Sequence, residues 1–290
     1  MKKLLILSGK GGTGKTTTAS AFIRFSGAPA FADCDVDAPN LHLVEQVEGT
    51  REEQDYIGSQ KAAIDPERCI SCGMCAQFCR FGAVRRTGMT FSVDPYACEG
   101  CGVCTLVCGQ KAISLSPDVA GRLTLIQGER TFSTAILKMG RGNSGKLVSS
   151  VKQALFLKAP EAPFAIIDGS PGIGCPVIAS VSGVDLVLIV AEPSQSGISD
   201  LERLVRTTEG FRTKVAVCVN KYDLSPDDTR RIEDFCRDRQ IPFLGCIPYD
   251  PTVSAAINQG KTVADLGGPA CEALREIYRR TAELLEISAV

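Results

Sequence analysis

Leu4-Leu5-Ile6-Leu7 reads as a short buried strand that passes through Ser8 into Gly9-Lys10-Gly11-Gly12-Thr13-Gly14-Lys15-Thr16, and Thr17 to Phe25 then has helical character. The octapeptide fits GxxxxGK(S/T), and a strand before it with a helix after it is the context in which that pattern binds phosphate. Successive N–H groups of the glycine-rich loop curl around phosphate oxygens, and the helix N-terminus adds partial positive charge. Gly11, Gly12, Thr13, Gly14 and Thr17 form the cradle on this reading. Lys15 reaches the β- and γ-phosphates, and the Thr16 hydroxyl ligates Mg2+.

Further apolar runs at 28–32, 164–168, 185–190, 214–219 and 243–247 alternate with helical stretches, among them Gly197 to Gly210 and Lys146 to Leu157. Strands alternating with helices imply an α/β fold, a doubly wound and mostly parallel sheet with ligand at the carboxyl ends of its strands. Two of the runs end in carboxylates: one leads into Asp33-Cys34-Asp35-Val36-Asp37, the other ends at Asp168 before Gly169-Ser170-Pro171-Gly172-Ile173-Gly174.

The second lysine of the loop, Lys10, makes the form KGGTGKT, which resembles the deviant Walker A motif of the MinD, ParA, Mrp and nitrogenase iron protein superfamily. The resemblance implies a homodimer closed around two ATP molecules, with Lys10 crossing to the partner's nucleotide. It also implies that Asp33 supports Mg2+ through water and that Asp35 orients or deprotonates the attacking water. Asp168 would be the Walker B carboxylate of the Mg2+ shell, followed by a switch II loop that moves with the γ-phosphate. Asp37 exceeds the usual pattern and has no assigned role. An Asn at position 220 contacts adenine in that superfamily, and backbone near Pro248-Tyr249-Asp250 closes the base pocket. Asn220-Lys221-Tyr222-Asp223 also resembles the guanine signature NKxD, which leaves the base somewhat open, and the family likeness favours ATP.

Eight of the fourteen cysteines fall in two CxxCxxCxxxC runs, Cys69, Cys72, Cys75, Cys79 and Cys98, Cys101, Cys104, Cys108. That spacing suits two [4Fe–4S] clusters, whereas structural zinc sites pair two separated CxxC knuckles. The segment 62–117 is an internal repeat, Cys69-Ile-Ser-Cys72-Gly-Met-Cys75 realigning with Cys98-Glu-Gly-Cys101-Gly-Val-Cys104. It resembles a bacterial-type ferredoxin, a small α+β module. The resemblance implies crossed ligation: Cys69, Cys72, Cys75 and Cys108 on cluster 1, and Cys98, Cys101, Cys104 and Cys79 on cluster 2. The proline that usually follows each fourth cysteine is replaced by Arg80 and Gly109. The expected organisation is therefore an ATPase domain in two parts, 1–61 and 118–290, with the module at 62–117 between them.

Thiolate ligands need a reducing compartment, so a cytoplasmic protein is expected. Met1-Lys2-Lys3 mimics a signal peptide, but the apolar run after it is too short, and Val177 to Val190 is too short and too polar to span a bilayer. With 32 basic and 33 acidic residues, nothing steers the chain toward nucleic acid or an anionic membrane. Leu274, Ile277, Tyr278, Ala282, Leu285 and Ile287 form an apolar stripe, read as a helix packed on the sheet. Gly140 to Leu147 also fits GxxxxGK, but Leu147 replaces the hydroxyl and no apolar strand-length run leads into Gly140, so it is read as a mobile helix-capping loop. Cys34, Cys175, Cys218, Cys236, Cys246 and Cys271 are isolated, and no C-terminal CxxC offers a cluster to be handed on. Three functions are compatible with these motifs: ATP-gated electron transfer to a partner protein, ATP-dependent metallocluster assembly or delivery, and a redox-sensing positioning ATPase.

Overall fold

The computed structural model describes residues 1–287. Eleven strands are present among them: β1 (Lys2–Leu7), β2 (Ala30–Asp33), β3 (Thr50–Ile64), β4 (Val84–Thr87), β5 (Thr90–Val93), β6 (Ile113–Gln127), β7 (Thr131–Leu137), β8 (Phe164–Asp168), β9 (Leu186–Ala191), β10 (Lys214–Asn220) and β11 (Phe243–Ile247). The helices are α1 (Lys15–Ser26), α2 (Met74–Gln77), α3 (Val103–Val107), α4 (Ser144–Lys158), α5 (Cys175–Val181), α6 (Gln195–Glu209), α7 (Pro226–Asp238), α8 (Pro251–Ile257), α9 (Val263–Leu266) and α10 (Pro269–Leu285). None is long and apolar enough to cross a membrane.

The nine-stranded sheet runs β11-β10-β9-β1-β8-β2-β7-β6-β3. Every pairing from β11 through β7 is parallel. Strands covered on both faces read as unbroken apolar runs, which is why Leu4 to Leu7 and Leu186 to Ala191 are buried throughout. The apolar stripe of α10 is buried in the core, where Tyr278 meets Phe22 of α1 edge-on at 5.2 Å between ring centres. Its hydrophobic side packs inward, as the 3.6-residue spacing requires.

The chain divides into two compact units, one of Met1–Glu53, Leu123–Ile136 and the chain from Ser144 onward, the other of Gln54–Arg122 with Leu137–Asn143. The second is wider than 62–117 on both sides, because β3 and β6 are each 15 residues long and pass from one unit into the other. It also takes in 137–143, which follows β7.

Within the second unit the repeat is visible in the backbone. Left-handed residues recur at Ser71 and Gly100, Gly73 and Gly102, and Gly82 and Lys111. Cys69 N–H donates to Asp65 and Cys98 N–H to Asp94 in the same way, at 3.1 and 3.0 Å. A small cluster of Ala62, Cys75, Ala83, Val84, Cys98 and Ile113 forms its interior.

After β2, Asp33 accepts the N–H groups of Asn40 and Leu41, and a single 3-10 turn, Leu41–Leu43, follows. Gly140 to Leu147 follows β7 after Lys138 and Met139 and leads into α4. Leu147 is fully buried in the core, so this loop has the layout of a phosphate loop without its hydroxyl.

Candidate functional site

The register of the parallel strands brings the polar residues together. Asp33 at the end of β2 stands opposite Asp168 at the end of β8, and Ile6 of β1 lies on the other side of Asp168. The glycine loop leaves β1 at this edge and ends in α1. Gly14 has φ +95 and faces Asn220 so closely that a Cβ there would lie 2.2 Å from the amide nitrogen, so only glycine fits.

Around this edge lies a cavity of about 600 Å³. It is lined by Lys10, Gly11, Gly12, Gly14, Lys15, Thr16, Thr17, Asp35, Asn220, Pro248, Tyr249 and Asp250, twelve of the residues singled out from the sequence. Thr13, Asp33 and Asp168 do not line it; they are buried behind it.

The buried polar set is tightly connected. Lys15 Nζ lies 2.6 Å from Asp168 Oδ1, and the Thr16 hydroxyl donates to Asp168 Oδ2 at 2.7 Å. Burial alone lowers the Lys15 amine, but the carboxylates of Asp168, Asp33 and Asp35 outweigh it and hold its pKa above the ordinary lysine value. Asp33 accepts N–H bonds from Asp35, Asn40 and Leu41, each at 2.9 Å. Burial and the neighbouring Asp168 charge nevertheless push its carboxyl up to about 7, against the pull of Lys15 and the backbone. Asp33 thus shapes the segment carrying Asp35 as well as adding charge near the lysine. Asp35 is half-buried, and its carboxyl is raised chiefly by burial. Asp37 is exposed at the cavity rim.

Lys10 is held by its own chain, with Nζ 2.9 Å from Glu192 Oε2 and 3.2 Å from Ser196 Oγ. Lys221 shares the same carboxylate at 3.3 Å and also reaches the Gly12 carbonyl. Burial raises Glu192, but hydrogen bonds from the two lysines outweigh it and its pKa falls below the usual glutamate value. Glu192 follows β9 and carries no motif, so only the fold reveals its place. Asn220 donates to the Thr13 carbonyl at 2.8 Å, bracing the loop. Asp223 takes the Tyr249 N–H at 2.7 Å, and it does not line the cavity.

In the second unit each crossed set of cysteines surrounds its own cavity. Cys69, Cys72, Cys75 and Cys108 line one of about 240 Å³ with Ile64, Met74, Phe91 and Ile113. Cys79, Cys98, Cys101 and Cys104 line a nearly closed one of about 20 Å³. Among the described residues no three His, Cys, Asp or Glu side chains gather closely enough to hold one metal ion, so the thiols ring cavities and do not converge on a point. Burial pushes the Cys75 and Cys104 thiols up. At Cys79 burial acts the same way, but backbone N–H groups of Ala83, Phe81, Val84 and Gly82 outweigh it and leave the thiol below its usual value. Of the isolated cysteines, Cys34 and Cys218 are fully buried with thiols raised by burial, Cys246 is half-buried, and Cys175 is exposed.

The chain is 31% identical to an uncharacterized protein, MJ0578, of Methanocaldococcus jannaschii, over 98% of this chain and 97% of that one. It is 23% identical to a cytosolic Fe-S cluster assembly factor Nubp1 homolog of Drosophila willistoni, covering 96% and 80%. Among solved structures, the septum site-determining protein MinD of Pyrococcus horikoshii, complexed with Mg-ADP, superposes with a TM-score of 0.58 at 17% identity, covering 98% and 96% of the two chains. The Cyanothece McdA(D38A)-ATP complex gives 0.58 at 18%, covering 100% and 98%. The family model for the CobQ/CobB/MinD/ParA nucleotide binding domain matches residues 4–263, which contain the glycine loop, both buried aspartates and Asn220. This chain is a member of that family of P-loop ATPases.

Proposed function

We propose that the chain is a MinD-like ATPase that closes as a homodimer on Mg2+ and ATP, hydrolyses the nucleotide, and couples its state to two [4Fe–4S] clusters serving electron transfer to a partner protein. The observation that carries the reading is the segregation of the eight cysteines. Each crossed set of four rings a separate cavity in a chain whose first unit brings Lys15, Thr16 and Asp168 together.

At the nucleotide site the chain's own groups have assignable tasks. N–H groups of Gly11 to Thr17 cradle the phosphates, and Lys15 exchanges Asp168 for a phosphate oxygen. Thr16 and Asp168 would hold Mg2+, with Asp33 behind them. Asp35, at the cavity edge, orients a water in line with the γ-phosphorus and accepts its proton. The base lies between Asn220 and the Pro248-Tyr249-Asp250 segment. Adenine is favoured over guanine, because Asp223, the residue that would read guanine, is committed to the Tyr249 N–H.

In the second unit the four thiols and apolar lining of the wider cavity suit a cuboidal cluster. The narrower cavity has the same ligand set, and a cluster there would need more room than its volume of about 20 Å³. Bound clusters supply reversible one-electron storage. The protein supplies eight thiolates, N–H groups directed at sulfur, and apolar side chains such as Ile64, Phe91 and Leu115 around them. Anaerobically purified protein should contain iron and acid-labile sulfide in equal amounts, enough for two clusters per chain; zinc in their place would overturn this half of the reading.

For the ATPase half, Lys10→Ala should leave nucleotide binding by a single chain nearly intact yet abolish dimerisation with a non-hydrolysable ATP analogue, followed by light scattering after size exclusion. Within its own chain Lys10 is paired with Glu192, and closure would transfer it to the partner's phosphates. A variant that still dimerises would remove Lys10 from the interface. The similarity to Nubp1 homologues, named as cluster assembly factors, favours a second reading, delivery of clusters to an acceptor. That reading predicts ATP-dependent loss of iron to an apo-acceptor.

A further inference from the structure

We infer that residues 137–143, stapled by Arg141 to the loop before Cys98 and continuous with α4, carry nucleotide state from the switch II loop to the second cysteine set and not to the first. This rests on the nucleotide-coupled reading above and names the residues that perform the coupling.

In the first unit, α5 begins at Cys175, directly after Gly169–Gly174, the loop that contacts the γ-phosphate in a P-loop switch. That loop donates Gly169 N–H to Ile6 of β1 at 2.9 Å and Gly172 N–H to Ser8 at 3.0 Å, and the Ser170 hydroxyl donates to the Cys34 carbonyl. Helix α5 is in turn fastened to α4 at both ends. At one end Gly145 lies flush on Cys175, where a Cβ would stand 3.0 Å from the carbonyl oxygen. At the other, the Lys152 ammonium donates to the carbonyls of Ala179 at 2.9 Å and of Ser180 and Ser182 at 2.6 Å each, closing the α5 C-terminus. A helix pair tied twice moves as one body, so a displacement of α5 is a displacement of Ser144.

In the second unit the residues just before Ser144 are equally fixed. The Arg141 guanidinium pairs with Asp118 at 3.1 Å, donates to the Pro95 carbonyl at 3.0 Å and stacks over the Tyr96 ring at 5.1 Å. Lys138 N–H donates to Ala120 at 2.8 Å, and the Tyr56 hydroxyl donates to the Asn143 carbonyl at 3.3 Å. Pro95 and Tyr96 lie in the turn that delivers Cys98. Asn143 to Ser144 is therefore one of the places where the chain passes between the units, with bonds to α5 just after it and bonds to the turn before Cys98 just ahead of it.

The internal repeat supplies a control. The turn before Cys69 has the same backbone, with Asp65 Oδ1 accepting from Glu67 N–H as Asp94 Oδ1 accepts from Tyr96 N–H, both at 2.9 Å. Its residue equivalent to Tyr96 is Glu67, which offers no ring to a guanidinium. The two sets are alike in ligands and unlike in attachment, so only the second should respond.

Hydrogen exchange of the full-length, cluster-containing protein tests this with ADP and with a non-hydrolysable ATP analogue. Wild type should show a several-fold difference between the two nucleotides at 169–174 and at 94–98, with none at 65–69. Arg141→Met, which touches neither nucleotide nor thiols, should lose the difference at 94–98 and keep it at 169–174; Asp118→Asn should weaken it in the same place. Retention at 94–98 in Arg141→Met, or an equal response at 65–69, would overturn the relay while leaving nucleotide coupling standing. No response at 169–174 in wild type would overturn both.

Discussion

Lys15→Met is expected to lower affinity for Mg2+ and ATP by two orders of magnitude or more while leaving the cysteine-bearing unit unchanged. The amine sits 2.6 Å from Asp168 and is buried. Its exchange onto phosphate oxygen is a charge-assisted hydrogen bond worth about 1.5–3 kcal/mol, before the lost charge neutralisation is counted. The substitution also strands Asp168 and Asp33 without their cation. Removing one partner of a buried pair costs about 3–5 kcal/mol, so the empty variant should unfold at a lower temperature. The pH dependence has a definite sign. A carboxyl whose folded pKa is raised binds its proton more tightly in the folded chain, so stability falls as pH rises between the unfolded and folded values. For Asp33, raised to about 7, that window runs from about pH 4 to 7, and without Lys15, which pulls the carboxyl down, the fall should extend to higher pH. Calorimetric titration with Mg2+ and ATP, and thermal melts at pH 5 and 7, check both parts. Undiminished binding would refute the role given to the glycine loop.

The second large effect concerns the pairing of the cysteines. Cys108→Ser and Cys69→Ser alter different runs but the same cavity, and both should lose about half of the iron. The surviving cluster should have the same reduction potential in both variants, and a different one from that surviving in Cys79→Ser. Replacing a thiolate by a hydroxyl removes a soft ligand that iron holds strongly. Nucleotide affinity should be unaltered, because no residue of the 600 Å³ cavity is a cysteine. If Cys108→Ser instead matches Cys101→Ser, each run serves its own cluster and the crossed arrangement fails.

The nucleotide site was largely legible in the sequence because its motifs are local. Gly9 to Thr16, Asp33-Cys34-Asp35 and Asp168 each sit at the end of a continuous apolar strand, and parallel register does the rest. What escaped was of two kinds. Strands β3, β6 and β7 have mixed polar faces or, in β6, an internal Pro117, so no apolar run betrayed them. Contacts between distant segments were invisible in principle. Glu192 holding Lys10, Asn220 bracing Thr13, and Arg141 stapled to Tyr96 depend on which strand neighbours which. The crossed cysteine sets came from resemblance, and each set lines a separate cavity.

The central claim is that nucleotide state reaches the clusters. Its most direct measurement is the reduction potential of each cluster, by spectroelectrochemical titration of the same preparation with Mg2+-ADP and then with Mg2+ and a non-hydrolysable ATP analogue. The account predicts a shift at the cluster held by Cys98, Cys101, Cys104 and Cys79, absent in Lys15→Met. Identical potentials in both nucleotide states, with the analogue demonstrably bound, would contradict it.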